Sequence, residues 1–413
     1  MRKDLKPDEI EIYEKTASSI IARSSLDKIE VCKKVYSHGF GLRVVKDGAI
    51  GFSYYSEEKE KEDAIKRAVK SARLSPNEKY SFPHPPEYWN VDNFDVKISA
   101  LVEEDIVDML LEAMDGASER ASPSKGEVSA TFSTTKITSS NGLEALDEDT
   151  SFSAFISAKA GESIGYDHVH TKKLDVNMRK LGENAGHWAA KSRGGKPIDF
   201  TGPIVLSVDV LSSFFSSCVL RNLNGENARR GKTLWQKGDE VMDKSITIID
   251  NPSRPFAGGT VGFDDEGIPS KREILVDEGV VSSFLLDTRT ANLMGEESTG
   301  NGFRASFASA PQISASNTIV SSNKSDEIFD EGLFVKELMG FHNMNPVTGD
   351  FALDIVQGFQ LHKGEGGQPV RGCMLVGNFL DVLKSGPVFA KQEEGKDSFF
   401  SPKMRFEGKV VSK

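Results

Sequence analysis

Residues 251–304 read NPSRPFAGGTVGFDDEGIPSKREILVDEGVVSSFLLDTRTANLMGEESTGNGFR, and they concentrate turn residues, acids and two short apolar runs. Gly258, Gly259 and Gly262 can take positive φ without a Cβ clash, so the spacing predicts a sharply bent loop that presents its own N–H groups. Phe263-Asp264-Asp265-Glu266-Gly267 follows, three acids closed by a turn glycine. Residues 274–276 and 280–286 then read as the strands of a hairpin around Asp277-Glu278-Gly279. The last piece, Ser298-Thr299-Gly300-Asn301-Gly302-Phe303-Arg304, is small and polar with one guanidinium, as a substrate-facing or interface loop would be. The plainer reading of the same residues is a set of tight turns in a large β-rich domain, and both stay open at this point.

Outward from this stretch, strand signals dominate the C-terminal half: residues 204–208, 246–249, 313–320, 351–360 and 370–376, with short helices expected near 211–223 and 325–339. Arg193-Gly194-Gly195-Lys196-Pro197 combines helix-stopping glycines, a proline and charge, and marks a boundary. Before it, Ile10, Tyr13, Ala17, Ile20 and Ile21 predict an amphipathic helix from Pro7 to near Ser25. Strands follow at 28–35, 39–45 and 50–54, broken at His38-Gly39 and turned at Asp47-Gly48, and a charged helix through Ile65, Ala68, Val69 and Ala72 stops at Pro76. Residues 77–93 read as an irregular connector. A helix at Ile106 to Ala117, strands at 127–137 and 150–157 around Ser140-Asn141-Gly142, and a helix at Leu174 to Trp188 repeat the order. The expected fold is therefore α+β in two lobes. Residues 1–195 form a helix and antiparallel-sheet lobe with an internal duplication (1–76 and 100–195), and residues 196–413 form a β-rich lobe.

A chain of 413 residues is too long for one ordinary core. Its formal charge of -11 opposes close approach to a phosphate backbone, and no basic patch overrides it, so nucleic acid is not an expected partner. Three distant cysteines, Cys32, Cys218 and Cys373, make neither a disulfide framework nor a thiolate zinc site, and they fit a reducing compartment. No apolar run is long enough to cross a bilayer and no apolar leader opens the chain, so the expectation is a cytoplasmic protein without a membrane partner.

Metal and nucleophile signals are thin. Glu183 and His187 lie four apart on a helix and look like a metalloprotease motif that has lost its first histidine; a helix-surface pair accounts for them equally well. His168 and His170 with Asp167 could hold a metal, against a reading as an exposed loop. His342 and His362 stand alone. Ser212, Ser213, Ser216 and Ser217 sit in no Gly-x-Ser-x-Gly elbow, and Cys218 lies in an apolar run. The acids Asp264, Asp265 and Glu266 could bind a hard cation or be merely solvated.

Several ordered motifs together carry a resemblance: Gly39-Phe40-Gly41-Leu42-Arg43-Val44 with Asp47-Gly48 and Gly51-Phe52, then Phe263 to Gly267, Ser298 to Asn301 with Arg304, Asn345-Pro346-Val347-Thr348-Gly349-Asp350-Phe351, and Gly377-Asn378-Phe379-Leu380. The chain resembles the TldD/PmbA family, once called modulators of DNA gyrase, over nearly its whole length. The resemblance implies two lobes around a large cavity and dimers. It also implies a metalloprotease for unstructured peptides, assembled from a zinc-bearing TldD subunit and a TldE (PmbA) partner. In TldD-type chains a His-Glu-x-x-x-His helix follows the strand matched by residues 204–208, and a cysteine ligand lies near the C-terminus. Here the helix position, residues 211–221, has no histidine, and residues 385–413 have no cysteine. The departure implies a TldE-like chain with no catalytic residues and no metal of its own, zinc being expected only in a TldD-like partner. That partner would make a heterodimer, the alternative being a homodimer that binds or hydrolyses peptides through another site. The peptide-cleft or interface candidates are Gly258, Gly259, Asp264, Asp265, Glu266, Thr299, Gly300, Asn301, Arg304, Thr348 and Gly349.

Overall fold

The computed structural model describes residues 6–362 and 365–412, so the outermost ends of the two expected lobes, residues 1–5 and 413, lie outside the described residues. The expected mixture of helix and antiparallel sheet is what the chain forms. Its first sheet contains β1 (Glu9–Ser25), β2 (Lys28–Lys46), β3 (Ala49–Tyr55), β4 (Ser122–Ser139), β5 (Glu144–Ala160) and β6 (Ser163–Thr171). Their order is β3-β2-β1-β4-β5-β6, with every neighbour antiparallel.

The helix expected at the start of the chain is instead β1. Its first residues alternate Glu-Ile-Glu-Ile. Ile10 and Ile12 pack beside Leu42, Val44 and Ala64, while Tyr13 on the other face joins Ile137 and Phe263. β1 is laddered along its length to β2 on one side and β4 on the other, and this pairing overrides the weaker 3.6-residue pattern. For the same reason His38-Gly39 does not break β2, which runs unbroken past it.

The two halves of this sheet run through their elements in the same order. Each half is a three-stranded meander followed by a helix, Lys61–Ala72 after β3 and Met178–Lys191 after β6, and the halves meet at β1 and β4. In both halves a strand glycine lets the helix backbone touch the sheet: a Cβ on Gly51 would sit 2.0 Å from the Ala68 carbonyl oxygen, and one on Gly165 would sit 2.4 Å from that of Ala185. The helix Glu103–Ser118 has no counterpart in the first half among the described residues, and it packs on Met178–Lys191. A Cβ on Gly182 would fall 1.8 Å from the Ala113 carbonyl oxygen. Gly182→Ala is accordingly expected to cost about 1–3 kcal/mol through forced separation of the two helices, read as a lowered urea midpoint.

The second sheet contains β7 (Phe200–Leu206), β8 (Ile246–Asp250), β9 (Glu273–Asp277), β10 (Val280–Val281), then β13 (Thr318–Ser322), β14 (Glu331–Met339), β15 (Asp350–His362), β16 (Glu365–Val370), β17 (Cys373–Asn378), β18 (Val388–Lys396) and β19 (Phe399–Ser412); between them β11 (Gly302–Phe303) and β12 (Gln312–Ile313) form a separate short pair. Five of these strands close a ring: β7 pairs β19, β19 pairs β17, β17 pairs β15, β15 pairs β14, and β14 returns to β7. Residues 331–339, inside the stretch expected as a helix, are strand β14, since Leu333 and Val335 are buried at period two in the ring. The 280–286 strand shrinks to Val280–Val281, because Phe284, Leu285 and Leu286 turn into the core and the helix Thr288–Met294 follows.

Candidate functional site

Where the first sheet meets the barrel, a layer of charged side chains is buried. Arg43 on β2 donates Nε to Glu11 Oε1 at 2.7 Å and Nη2 to Glu11 Oε2 at 2.5 Å, and its Nη1 reaches Glu266 Oε1 at 2.5 Å. Arg304 donates Nη2 to Glu11 Oε1 at 2.9 Å and lies over the Tyr13 ring. Asp264 Oδ1 accepts the N–H groups of Glu266 and Ile268, its Oδ2 accepts that of Gly302, and Glu266 Oε2 accepts that of Thr288. Burial together with the neighbouring Glu266 charge pushes the Asp264 carboxyl well above its ordinary range. Burial acts the same way on Glu266, but Arg43 outweighs it and holds Glu266 low.

The acidic stretch is thus neither a solvated loop nor an open cation site. It is the socket into which Arg43 and Arg304 plug. Gly39 and Gly41 of β2 complete the docking, since a Cβ on Gly39 would overlap the Phe307 ring and one on Gly41 would lie 2.9 Å from Arg304 Nη1.

In front of this layer opens a cleft of about 480 Å³, bounded by the first sheet on one side and by residues 258–265 and 303–316 on the other. Gly258, Gly259, Asp265 and Arg304 line it. The expected free N–H groups are absent from the two glycines: Gly258 donates to the Asp397 carbonyl and Gly259 to Asn317 Oδ1. None of Gly258, Gly259 and Gly262 takes positive φ. Gly259 is required by contact, since a Cβ there would stand 2.1 Å from the Ser316 carbonyl oxygen.

Asp264, Glu266, Thr299, Gly300 and Asn301 are buried and do not face the cleft. Thr299 and Asn301 are ties to the core: Asn301 donates to Asp250 Oδ2 at 2.7 Å, and burial raises the Asp250 carboxyl to about 6. Thr348 and Gly349 lie elsewhere, at the β15–β17 end, where the Thr348 carbonyl and Asp350 accept from Asn378 Nδ2.

Sequence reasoning missed the sheet side of the cleft. Lys15, Thr135 and Asp147 stand in one cross-strand row, with Asp149 and Lys172 beside them. Asp147 and Asp149 alternate with exposed residues along β5, and that i, i+2 spacing was the available signal. Burial would raise Asp149, but Lys172 and Lys15 hold it below its ordinary range, whereas burial raises Asp147.

The other candidates separate. Glu183 pairs with Arg179 and Lys180, while His187 Nδ1 meets Arg120, so the two form no site together. Asp167, His168 and His170 lie half-buried on β6 rather than in an exposed loop. The histidines alternate with Asp167, which is held by Lys396 at 2.7 Å. Among the described residues no group of three histidine, cysteine or carboxylate side chains could hold a metal ion. Cys218 is buried, which pushes its thiol up to about 12 and leaves it inert.

A second strained carboxyl sits on a bulge of β14. Burial raises Glu337 to about 7, with Asp209 adding to the effect against Lys336. Its contribution to stability is full below about 4.5 and is lost as pH rises through about 7. Glu337→Gln should therefore match the parent near pH 4.5 and exceed it at pH 8 by about 1–2 kcal/mol, within the ceiling of ~1.4 kcal/mol per unit, as read from urea unfolding at the two pH values.

The strand expected to precede a metal helix is β7, and the helix after it begins at Val208–Phe214, passes through a π turn at Phe215–Val219 and ends at Leu220–Asn222. Leu211, Phe214, Phe215 and Cys218 face the core, and Phe214 stacks on Phe379 at 4.3 Å. The remaining face carries Ser212, Ser213, Ser216 and Ser217, none of which suits zinc.

Residues 200–413 match the PmbA/TldA metallopeptidase C-terminal domain, residues 10–73 match domain 1 and residues 95–193 match the central domain. The chain belongs to the PmbA/TldD metallopeptidase family. An uncharacterized protein of Methanocaldococcus jannaschii is 31% identical over 382 residues, covering 91% of this chain and 90% of that one. The metalloprotease TldD homolog of Haemophilus influenzae is 27% identical over 199 residues, covering 46% of this chain and 41% of that protein. The crystal structure of TldE from Thermococcus kodakarensis shares the fold of this family member, with a TM-score of 0.88 at 23% identity over 98% of this chain and 97% of that one. No helix among the described residues is long and apolar enough to cross a membrane.

Proposed function

We propose that this chain is the TldE-like, metal-free subunit of a TldD/TldE-type metallopeptidase. In that complex it helps bind unstructured peptides, while zinc and catalysis belong to a TldD-like partner. The observation that carries this reading is the helix after β7. A His-Glu-x-x-x-His motif places its histidines five residues apart, and a π turn, bonded i to i+5, brings residues at that interval toward one face. The helix keeps such a turn at Phe215–Val219 but offers serines on its outer face and phenylalanines toward the core. A helix of this shape with serines on its outer face offers zinc no ligand there, which supports a metal-free role.

The test is to purify the chain alone and with a TldD-like partner from the same source. Less than a tenth of an equivalent of zinc in the isolated chain, with peptide cleavage only in the pair, is the expected result. Stoichiometric zinc together with cleavage by the chain alone would overturn it, and a stable homodimer that ignores the partner would favour a self-contained peptide-binding role.

A further inference from the structure

Among the described residues, one long edge of the first sheet has no cover. β1 ladders to β2 without a register shift from Val31 to His38, but on the other side of β2 the strand β3 reaches only Phe40 to Lys46. Residues 31–37 are accordingly all exposed, Tyr36 by 70%, whereas Ile20 and Ala22 across the ladder on β1 are buried. In an antiparallel pair alternate residues turn both N–H and C=O away from the partner, so about four residues of this run point both groups outward. None of them has a backbone partner outside the ladder among the described residues. The opposite edge of the same sheet, on β6, is occupied by the barrel. Gln357 Nε2 donates to the Ile164 carbonyl at 2.6 Å, Lys396 Nζ donates to the His168 carbonyl at 3.0 Å, and Thr171 bridges Ala257.

Proteins close their edges to further pairing with proline, bulges, charge or short strands. The β2 edge has no proline between Val31 and His38, its bulge lies before Val31, and it is long. Its guard is charge: residues 31–38 carry Lys33 and Lys34 and no acid, and neither lysine has an ion-pair partner among the described residues. Lys33 lies opposite Ile21 and Lys34 opposite Ile20, so the two ammonium groups flank the edge on opposite faces of the sheet. Such an edge repels a basic strand and attracts an acidic one. Val31 and Val35, each 37% exposed, add apolar surface on the face that holds Lys33, and Ser37 on that face lines the cleft.

We infer that the free edge of β2 accepts an extended, acidic peptide segment of about six to eight residues as an added strand. Backbone hydrogen bonds supply affinity independent of sequence, the two lysines select for acids, and Ser37 leads the segment toward the cleft. This inference rests on the peptide-handling role proposed above and names where this subunit holds the peptide and which charge it prefers.

The experiment is fluorescence anisotropy of the full chain with a labelled, end-blocked peptide of about eight alternating glutamate and valine residues. Its lysine-for-glutamate counterpart and a glutamate peptide interrupted by central prolines are measured beside it. The glutamate peptide is expected to bind and to slow amide hydrogen exchange in residues 31–38. The lysine peptide should bind about tenfold or more weakly, and so should the proline peptide, which cannot pair along its length. The double substitution Lys33→Glu with Lys34→Glu, at two exposed positions, should reverse the preference between the charged peptides, and about 1 M salt should remove it. Equal binding of the acidic and basic peptides, no binding at millimolar peptide, or binding that leaves exchange in residues 31–38 unchanged would overturn the inference; all three readings come from the parent chain. So would a free chain that sediments as a dimer with those amides already protected, because a second copy would then fill the edge. Peptide cleavage by the same preparation with a TldD-like partner separates the two claims. Cleavage without protection of residues 31–38 removes only the edge site, whereas protection without any partner-dependent cleavage removes the subunit role.

Discussion

Arg43→Met is expected to lower the stability of the folded chain by about 3–5 kcal/mol, the range for removing one partner of a buried ionic group. Arg43 is 3% exposed and stands between Glu11 and Glu266, each 1% exposed. Methionine fills much of the same volume but leaves two carboxylates facing each other without the guanidinium that links them. The Arg304 guanidinium is too committed to replace it, since it already donates to Glu11 and to the carbonyls of Asp265 and Ser309.

The loss should depend on pH in a defined direction. In the parent, Arg43 holds the Glu266 carboxyl below its ordinary value against the effect of burial, so the stability it contributes is present above about 4.5 and is lost as pH falls through the folded value. In the variant burial acts on Glu266 unopposed and raises its carboxyl, so the variant regains stability as that group protonates on the way down toward pH 4.5. The gap between parent and variant in urea unfolding should therefore be wide at pH 7.5 and narrower near pH 4.5. A gap that is constant with pH, or below about 1 kcal/mol at pH 7.5, would show that the socket is held by packing instead. Lys391 supplies the comparison, because its ion pair with Glu327 lies in solvent and its removal should leave the unfolding midpoint unchanged.

The same socket shows what could and could not be read from the chain. The Phe263 to Gly267 stretch was legible as an acidic turn closed by a glycine, open between a cation site and a solvated loop. Its burial was not, because the neutralising cations lie more than two hundred residues away on β2, or come from Arg304 after an intervening helix. Helices packed on one side of a sheet were legible wherever apolar residues recur at helical spacing, as in Ile65, Ala68, Val69 and Ala72. β1 was misread because Ile10, Tyr13, Ala17 and Ile20 recur at helical intervals of three and four, whereas in the strand Ile10 and Ile20 fall on one face and Tyr13 and Ala17 on the other, and only the partners on either side impose that alternation. The terminal hairpin of β18 and β19 left little trace, since its charged residues mask an alternation that the barrel nevertheless uses through Phe399, Met404, Phe406 and Val410. Lys15 was invisible for a related reason, and Asp147 showed only as half of an i, i+2 pair with Asp149. Each is an ordinary surface type in its own strand, and only the register of β1, β4 and β5 brings them into one row.

The helix after β7 yields the other large expected effect. Phe214→Ala should cost about 3–5 kcal/mol, because it removes a buried ring and leaves a cavity that its neighbours cannot close. Phe214 stacks on Phe379 at 4.3 Å and meets Phe351 at 4.9 Å and Phe341 at 5.1 Å edge-on, so the void would open among rings fixed by β15, by a 3-10 turn and by the helix Phe379–Lys384. Ser216→Ala, on the exposed face of the same helix, gives up only a hydroxyl bonded to the Ser212 carbonyl one turn back and should change stability by less than about 0.5 kcal/mol. The contrast bears on function as well as folding. A helix whose main task is to present metal ligands would tolerate core truncation poorly in activity while its outer face dominated chemistry. Here the inner face should dominate everything measurable in the isolated chain, and the serine face should matter only when a partner is present. A Ser216→Ala chain that is fully stable alone yet weakens partner-dependent peptide cleavage would place that face at the shared cavity; one that leaves cleavage untouched would confine the helix to holding the barrel together.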